Sequence, residues 1–421
     1  MTPPTFATPL PQSQHSNILE WRFPKPYQHL VLTGRSRAAW HTSFIIPQLD
    51  LLLDAGLCVN NLRPTHIFLT HGHSDHVLVI PSFTRRENRP DIYCPEEMKN
   101  ALDAYLNANI WLNQGGGAWP PQGEGSDGEG DDDDEDDEGQ EESTKKEEQK
   151  PLPAPNEPNP SEAPPASSEE ATTTSTTNPI PSHPANPAFP FPHLRLTHIT
   201  HGLRAGATVP LARLTGPPTW TATAFRCDHT VPCLGYVFSA TTPKLRPELR
   251  GLPPAELKAF REKMQKEQGP SFSMTVPVST PVFAFLGDTT ASVLASGPEW
   301  LGEAPPPREE VGEEEEEGQG NSAEENKGGN KKIKKKEEET GSSGVKVVIT
   351  ECSFLYPEHR KQAAKTKHTC WQDLEPVVRK WWKTTFVLCH FSLRYSDEDI
   401  RKFFADKKGL ENVVVWIGDK S

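Results

Sequence analysis

Residues 66–76 read HIFLTHGHSDH, and four of the last six side chains, His71, His73, Asp75 and His76, are of types that ligate metal ions. The apolar run Ile67–Leu69 ahead of them reads as a short buried strand. Residues two apart on extended chain face the same side, so His71 and His73 can hold one ion together. Asp75 and His76 follow where the chain bends, within reach of a second ion. Gly72 and Ser74 are small and let the backbone wrap closely around the cluster. Imidazole and carboxylate suit zinc, and two such ions about 3.5–4 Å apart are a device for splitting phosphodiesters and related bonds. A His-rich surface loop is the competing reading. Four ligand-type side chains in six positions after a strand disfavour it.

Other strands must bring further ligands. Residues 29–34 and 42–56 read as strands joined by turns, and 91–95 as another. From Glu96 to Asn113 the apolar residues recur at helical spacing. Residues 220–240 read as two strands around the turn Asp228–Pro232, which carries His229. A helix is expected over 254–268. The apolar strand in 282–290 delivers Asp288, that in 345–355 ends in Glu351, and that in 386–395 carries His390. A helix suits 375–383. Residues 397–409 open with acids and close on Lys-Lys-Gly, matching a helix dipole and C-cap. Taken singly, His229 is as well read as a structural histidine and Asp288 as an N-cap. Alternating strands and helices with metal-type residues at several strand ends suit an αββα sandwich with its site along one rim.

Composition sets the bounds. The chain has 421 residues, 43 of them Pro, and a hydrophobic fraction of 34%, low for a chain folded throughout. Residues 117–190, with DDDDEDDE, and 303–340, with EEEEE and KKIKKK, cannot bury enough apolar surface to offset ordering entropy and read as disordered. The first carries 19 acidic and 3 basic residues and the second 13 and 7. The chain's net charge is −14, so the remainder stands near +8, a balance that favours a nucleic-acid partner. Seven scattered cysteines without a CxxC pair imply reduced thiols, in the cytoplasm or nucleus. No apolar run approaches the ~18 residues that cross a bilayer, and the N-terminus lacks the features of a secretory signal. KKIKKK (331–336) has the composition of a nuclear address.

HGHSDH, His229 ahead of Gly235-Tyr236, Leu286-Gly287-Asp288-Thr289 and His390-Phe391-Ser392-Leu393-Arg394-Tyr395 together resemble the metallo-β-lactamase superfamily, and within it the tRNase Z branch. HxHxDH carries the superfamily and HFSLRY the branch. The resemblance covers roughly 28–116, 191–300 and 345–420. It implies a four-layer αββα sandwich in three parts, 28–116, 191–302 and 345–421, after an N-terminal extension, 1–27, and interrupted by insertions 117–190 and 303–344. It implies two Zn2+ per chain, with Mn2+ or another divalent ion as substitute. His71, His73 and His229 would hold one, Asp75, His76 and His390 the other, and Asp288 would bridge. Asp75, Glu351 and His390 are the implied catalytic residues. The implied activity is 3′-end cleavage of precursor tRNA by a metal-activated hydroxide, with RNA as partner, no membrane, and a homodimer as the assembly. Where the branch carries His before the Glu of strand 345–355, this chain has Thr350, which leaves the proton donor open. The branch's tRNA-gripping arm corresponds to 244–266, which holds seven basic residues but keeps only half of the Gly-x-Pro-x-Gly-Pro pattern, at Gly251–Glu256. A hydrolase of the same fold acting on a small phosphodiester, lactone or thioester is the alternative.

Overall fold

The structure is a computed structural model that describes residues 5–9, 18–85, 87–113, 197–269, 272–306 and 344–418. The two acidic insertions, KKIKKK and most of the N-terminal extension fall outside these residues.

The first sheet contains β2 (Leu19–Arg22), β3 (Val31–Arg37), β4 (His41–Ile46), β5 (Leu51–Leu53), β6 (His66–Phe68), β7 (Asp91–Pro95) and β8 (Ile199–Leu203). They lie side by side in chain order, antiparallel as far as β5 and parallel from β5 to β8. The second sheet runs β15 (Val413–Gly418), β14 (Thr385–Cys389), β13 (Val347–Glu351), β12 (Thr275–Phe285), β11 (Leu234–Leu245), β10 (Thr219–Arg226), β9 (Thr208–Pro210). Short β1 (Thr5–Pro9) belongs to both, pairing Thr5 with Val414 and Thr8 with Glu20.

Alternation along each strand decides what packs where. In β6, Phe68 points into the core between the sheets while Ile67 points outward. In β14, Val387 and Cys389 point inward and Phe386 and Leu388 outward. Aromatic rings weld the inner faces: Phe44 meets Trp416 at 5.1 Å and Phe68 meets Phe238 at 5.2 Å. Helix α2 (Lys99–Asn113) covers the first sheet with Leu102 and Leu106. The second sheet is covered by α4 (Ser292–Ala295), α6 (Trp371–Lys380) and α7 (Asp397–Ala405), which bring Leu294, Leu374, Val378, Ile400 and Phe404. Three further helices, α1 (Ser74–Val77), α3 (Pro254–Gln268) and α5 (Arg360–Thr366), lie in the connections. The layers are α, β, β, α.

Where strand 42–56 was expected whole, Pro47 ends β4. Having no N–H to give a ladder, it opens a single turn, and Asp50 turns left-handed (φ 46°) before β5 resumes. The strand expected to carry His390 stops at Cys389, because His390 itself is left-handed (φ 58°). β11 and β12 run well beyond the sandwich, and their outer halves join through α3, which has no buried residue. No helix among the described residues is long and apolar enough to cross a membrane.

Candidate metal centre

Each candidate ligand stands just beyond a strand end on one rim. β6 delivers His71 and His73, and α1 opens immediately afterwards, turning Asp75 and His76 back over the sheet. His229 lies in the turn between β10 and β11, Asp288 just past β12, and His390 just past β14. Two glycines permit this approach. A Cβ on Gly56 would lie 1.9 Å from the Asp75 carbonyl oxygen, and one on left-handed Gly287 (φ 63°) would lie 2.5 Å from Thr70 Oγ1.

The structure brings these seven side chains into two sets that share Asp288: His71, His73, His229 and Asp288, and Asp75, His76, His390 and Asp288. In the first, His73 Nδ1 lies 3.1 Å from His71 Nε2 and 3.2 Å from His229 Nε2. In the second, His390 Nε2 lies 3.3 Å from His76 Nε2, from Asp75 Oδ2 and from Asp288 Oδ1. Asp288 Oδ2 faces both sets, 3.7 Å from His71 Nε2 and 3.4 Å from His76 Nε2.

The far nitrogens of the rings are spoken for. His76 donates from Nδ1 to Asp54 (2.8 Å) and His229 to the Lys367 carbonyl (3.1 Å). His71 donates from Nδ1 to Thr70 Oγ1 (3.0 Å), and His390 to Ser353 Oγ (3.1 Å), which in turn donates to Glu351. These bonds fix the tautomers and leave each Nε2 lone pair turned inward. Asp54, wholly buried, also accepts from the Thr70 amide at 2.7 Å and its hydroxyl, and so orients two histidines at once.

That pattern fits divalent cations. Ligands about 2.0–2.1 Å from a tetrahedral ion lie about 3.3 Å from one another, close to the spacings above. Asp288 Oδ1 is buried without a hydrogen-bond donor, an oxygen left for a cation. Burial holds His71 well below the ordinary histidine range and lowers His73 and His229, keeping them neutral as ligation requires. Burial would raise the Asp75 carboxyl, but the His390 bond and the charges of His76 and His390 bring it down to about 2.

The catalytic candidate Glu351 sits behind the centre. It accepts from the Thr289 amide (2.7 Å), the Thr369 amide (3.1 Å), Ser353 Oγ and His368 Nδ1 (2.9 Å). Sequence reasoning missed His368. Its ring lies 5.0 Å from that of His229 and 5.6 Å from that of His390, open to solvent on one side. Burial alone would lower its pKa, but the Glu351 carboxylate lifts it to about 9. Thr350, the position where the resemblance places a histidine, is buried with its hydroxyl unbonded. The imidazole arrives instead from the loop ahead of α6. Within HFSLRY, Tyr395 Oη meets His359 Nδ1 at 2.7 Å and Arg394 caps the Phe354 ring at 5.0 Å, so both pin the loop that carries His390.

Two sheets packed face to face, helices outside, and a His/Asp constellation on one rim define a hydrolase of the metallo-β-lactamase fold. The family model for the metallo-beta-lactamase superfamily matches residues 54–158, and the chain belongs to that superfamily through this domain. Among solved structures, the chain is similar to the metallo-beta-lactamase fold protein YhfI from Bacillus subtilis, with 11% identity, 91% of this chain and 94% of that chain covered, and a TM-score of 0.38. It is similar to the short form of human tRNase Z, with 12% identity, 99% and 95% covered, and a TM-score of 0.35. It is also similar to a long form RNase Z from yeast, with 12% identity and a TM-score of 0.33, where 93% of this chain covers 37% of that one. No match to a curated protein was found.

Proposed function

We propose that this protein is a two-metal phosphodiesterase that cuts structured RNA, with the 3′ ends of precursor tRNA as substrate. The observation that carries the reading is the pair of His/Asp sets joined through Asp288. His71, His73, His229 and Asp288 would hold one divalent cation, and Asp75, His76, His390 and Asp288 the other, with zinc or manganese suited to the donors. Bound there, such a pair supplies positive charge to the phosphoryl and leaving oxygens and acidifies water.

The chain's own groups do the rest. Asp288 presents one oxygen to both sets and fixes their spacing. Asp75, held by the Ala39 amide at 2.9 Å, is an ionised carboxylate able to take a proton from the attacking water. His368 is placed to give a proton to the leaving oxygen, from the Nε2 that no described residue engages. Glu351 is its positioning residue, holding Nδ1 and the ring plane. RNA as the substrate is supported by HFSLRY, by the basic balance outside the insertions, and by the arm of β11, α3 and β12, whose helix carries Lys258, Arg261, Lys263 and Lys266. Two copies pairing as a homodimer belong to the same reading.

The arm's incomplete glycine-proline pattern favours a second reading, hydrolysis of a small phosphodiester, lactone or thioester. Purified protein with zinc or manganese, given an end-labelled precursor tRNA and bis(p-nitrophenyl) phosphate, separates the two. A single cut at the 3′ end of the acceptor stem is expected. Turnover of the ester with the RNA left intact would move the conclusion to the second reading.

A further inference from the structure

Beside the metal centre lies a cleft of about 550 Å3 that the chemistry above does not use. Its walls come from the turn after β8, the last residue of β10, the loop that carries His229, and Lys367 ahead of α6. His229 thus belongs to both the centre and the cleft, so whatever fills the cleft is contiguous with the reacting group.

The charges lining it are unevenly spent. Asp228 is taken by Lys367 Nζ at 3.0 Å and by Thr290 Oγ1 at 3.1 Å. Arg204 and Arg226 are exposed and neither hydrogen-bonds nor ion-pairs with a described residue, leaving Glu97 as the opposing charge. Arg226 stands three positions before His229, at the end of a strand paired in register with Leu234, so its backbone is fixed relative to the centre. Leu203, Val231 and Pro232 add apolar wall. Volume in the range of small-ligand sites, an apolar wall and two guanidinium forks match a nucleotide, whose base lies against apolar surface and whose phosphate accepts from the forks. A lactone or thioester has no anion to offer them.

We propose that this cleft is a nucleotide subsite, in which Arg204 and Arg226 grip the phosphate of the nucleotide adjoining the scissile bond. The inference rests on the RNA-cutting reading and adds to it that the substrate extends past the reacting phosphate on the His229 side.

The test compares a short single-stranded RNA, which offers several phosphates, with bis(p-nitrophenyl) phosphate, which offers one. In the Arg204→Ala/Arg226→Ala double variant, KM for the RNA should rise at least tenfold more than KM for the ester. The slope of log KM against log salt should fall by one to two units, as for one or two lost phosphate contacts. The Arg204→Lys/Arg226→Lys variant should recover the salt slope but only part of the affinity, since an ammonium supplies charge without the fork. Equal losses on both substrates, or none on RNA, would overturn the subsite while leaving the RNA reading intact. A wild-type protein that turns over the ester and cuts no RNA would overturn both.

Discussion

Glu351 accepts four hydrogen bonds in a buried pocket, and one of its donors is His368. If that imidazole protonates the leaving oxygen, its worth depends on how poor the leaving group is. His368→Ala should lower kcat about 10²–10⁴-fold on RNA but much less on a p-nitrophenyl ester, whose leaving group needs no proton. Equal losses on the two would remove His368 from the proton transfer. His41 carries a separate prediction. Buried, with Nε2 unbonded and with Arg35 and Arg37 close by, it is pushed down to about 4 from an unfolded value near 6.5. Between those values the unfolded chain binds a proton that the folded chain refuses, so stability falls as pH drops from 6.5 toward 4, by at most about 3 kcal/mol. Urea midpoints at pH 7.5 and 5.0 should converge for His41→Gln relative to wild type; parallel shifts would refute this. At this scale HGHSDH was legible because its ligands are neighbours in sequence. His368 was not: its partner Glu351 is seventeen positions away and the contact exists only in the folded chain. Asp54 was hidden similarly, read as the end of a strand when its carboxylate in fact orients His76.

Among the elements, α3 stands apart, since helical periodicity placed it at 254–268 yet it buries nothing. A helix without a core-facing side is held by its ends, here the paired outer halves of β11 and β12, where Lys244 sits opposite Val276. Replacing 246–272 with a two-residue turn should therefore leave the melting temperature within about 2 °C. Affinity for precursor tRNA should fall tenfold or more while ester turnover persists. If RNA cleavage is untouched, the arm has no part in gripping it. Pro47 shows what pattern reading lost among the strands. The apolar run 42–56 has a strand's composition, and only the missing amide of Pro47 and the left-handed Asp50 split it in two.

Over the whole molecule, the centre exists because the sandwich closes. His71 to His76 come from the first sheet, and His229, Asp288 and His390 from the second. Cations in such a place hold the sheets together as well as serving chemistry. At a free ion concentration 1,000 times the dissociation constant, one site adds about 4 kcal/mol to stability. Chelation should lower the melting temperature by several degrees, and zinc should restore it; an unchanged melt would mean that no ion links the two sheets. Layer order was legible from alternating strands and helices. β1, which joins the sheets edge to edge, was not, because its Pro-rich sequence carries no strand pattern.

One seam has a practical consequence. The Val345 amide bonds to the Trp300 carbonyl at 2.9 Å and the Trp382 indole to the Pro306 carbonyl at 3.0 Å, so the polypeptide leaves the second sheet and re-enters it beside the same few residues. Whatever is spliced between 306 and 344, a short glycine-serine bridge or an entire fluorescent reporter, meets a doorway whose two posts are already fastened. Ester turnover should survive either graft.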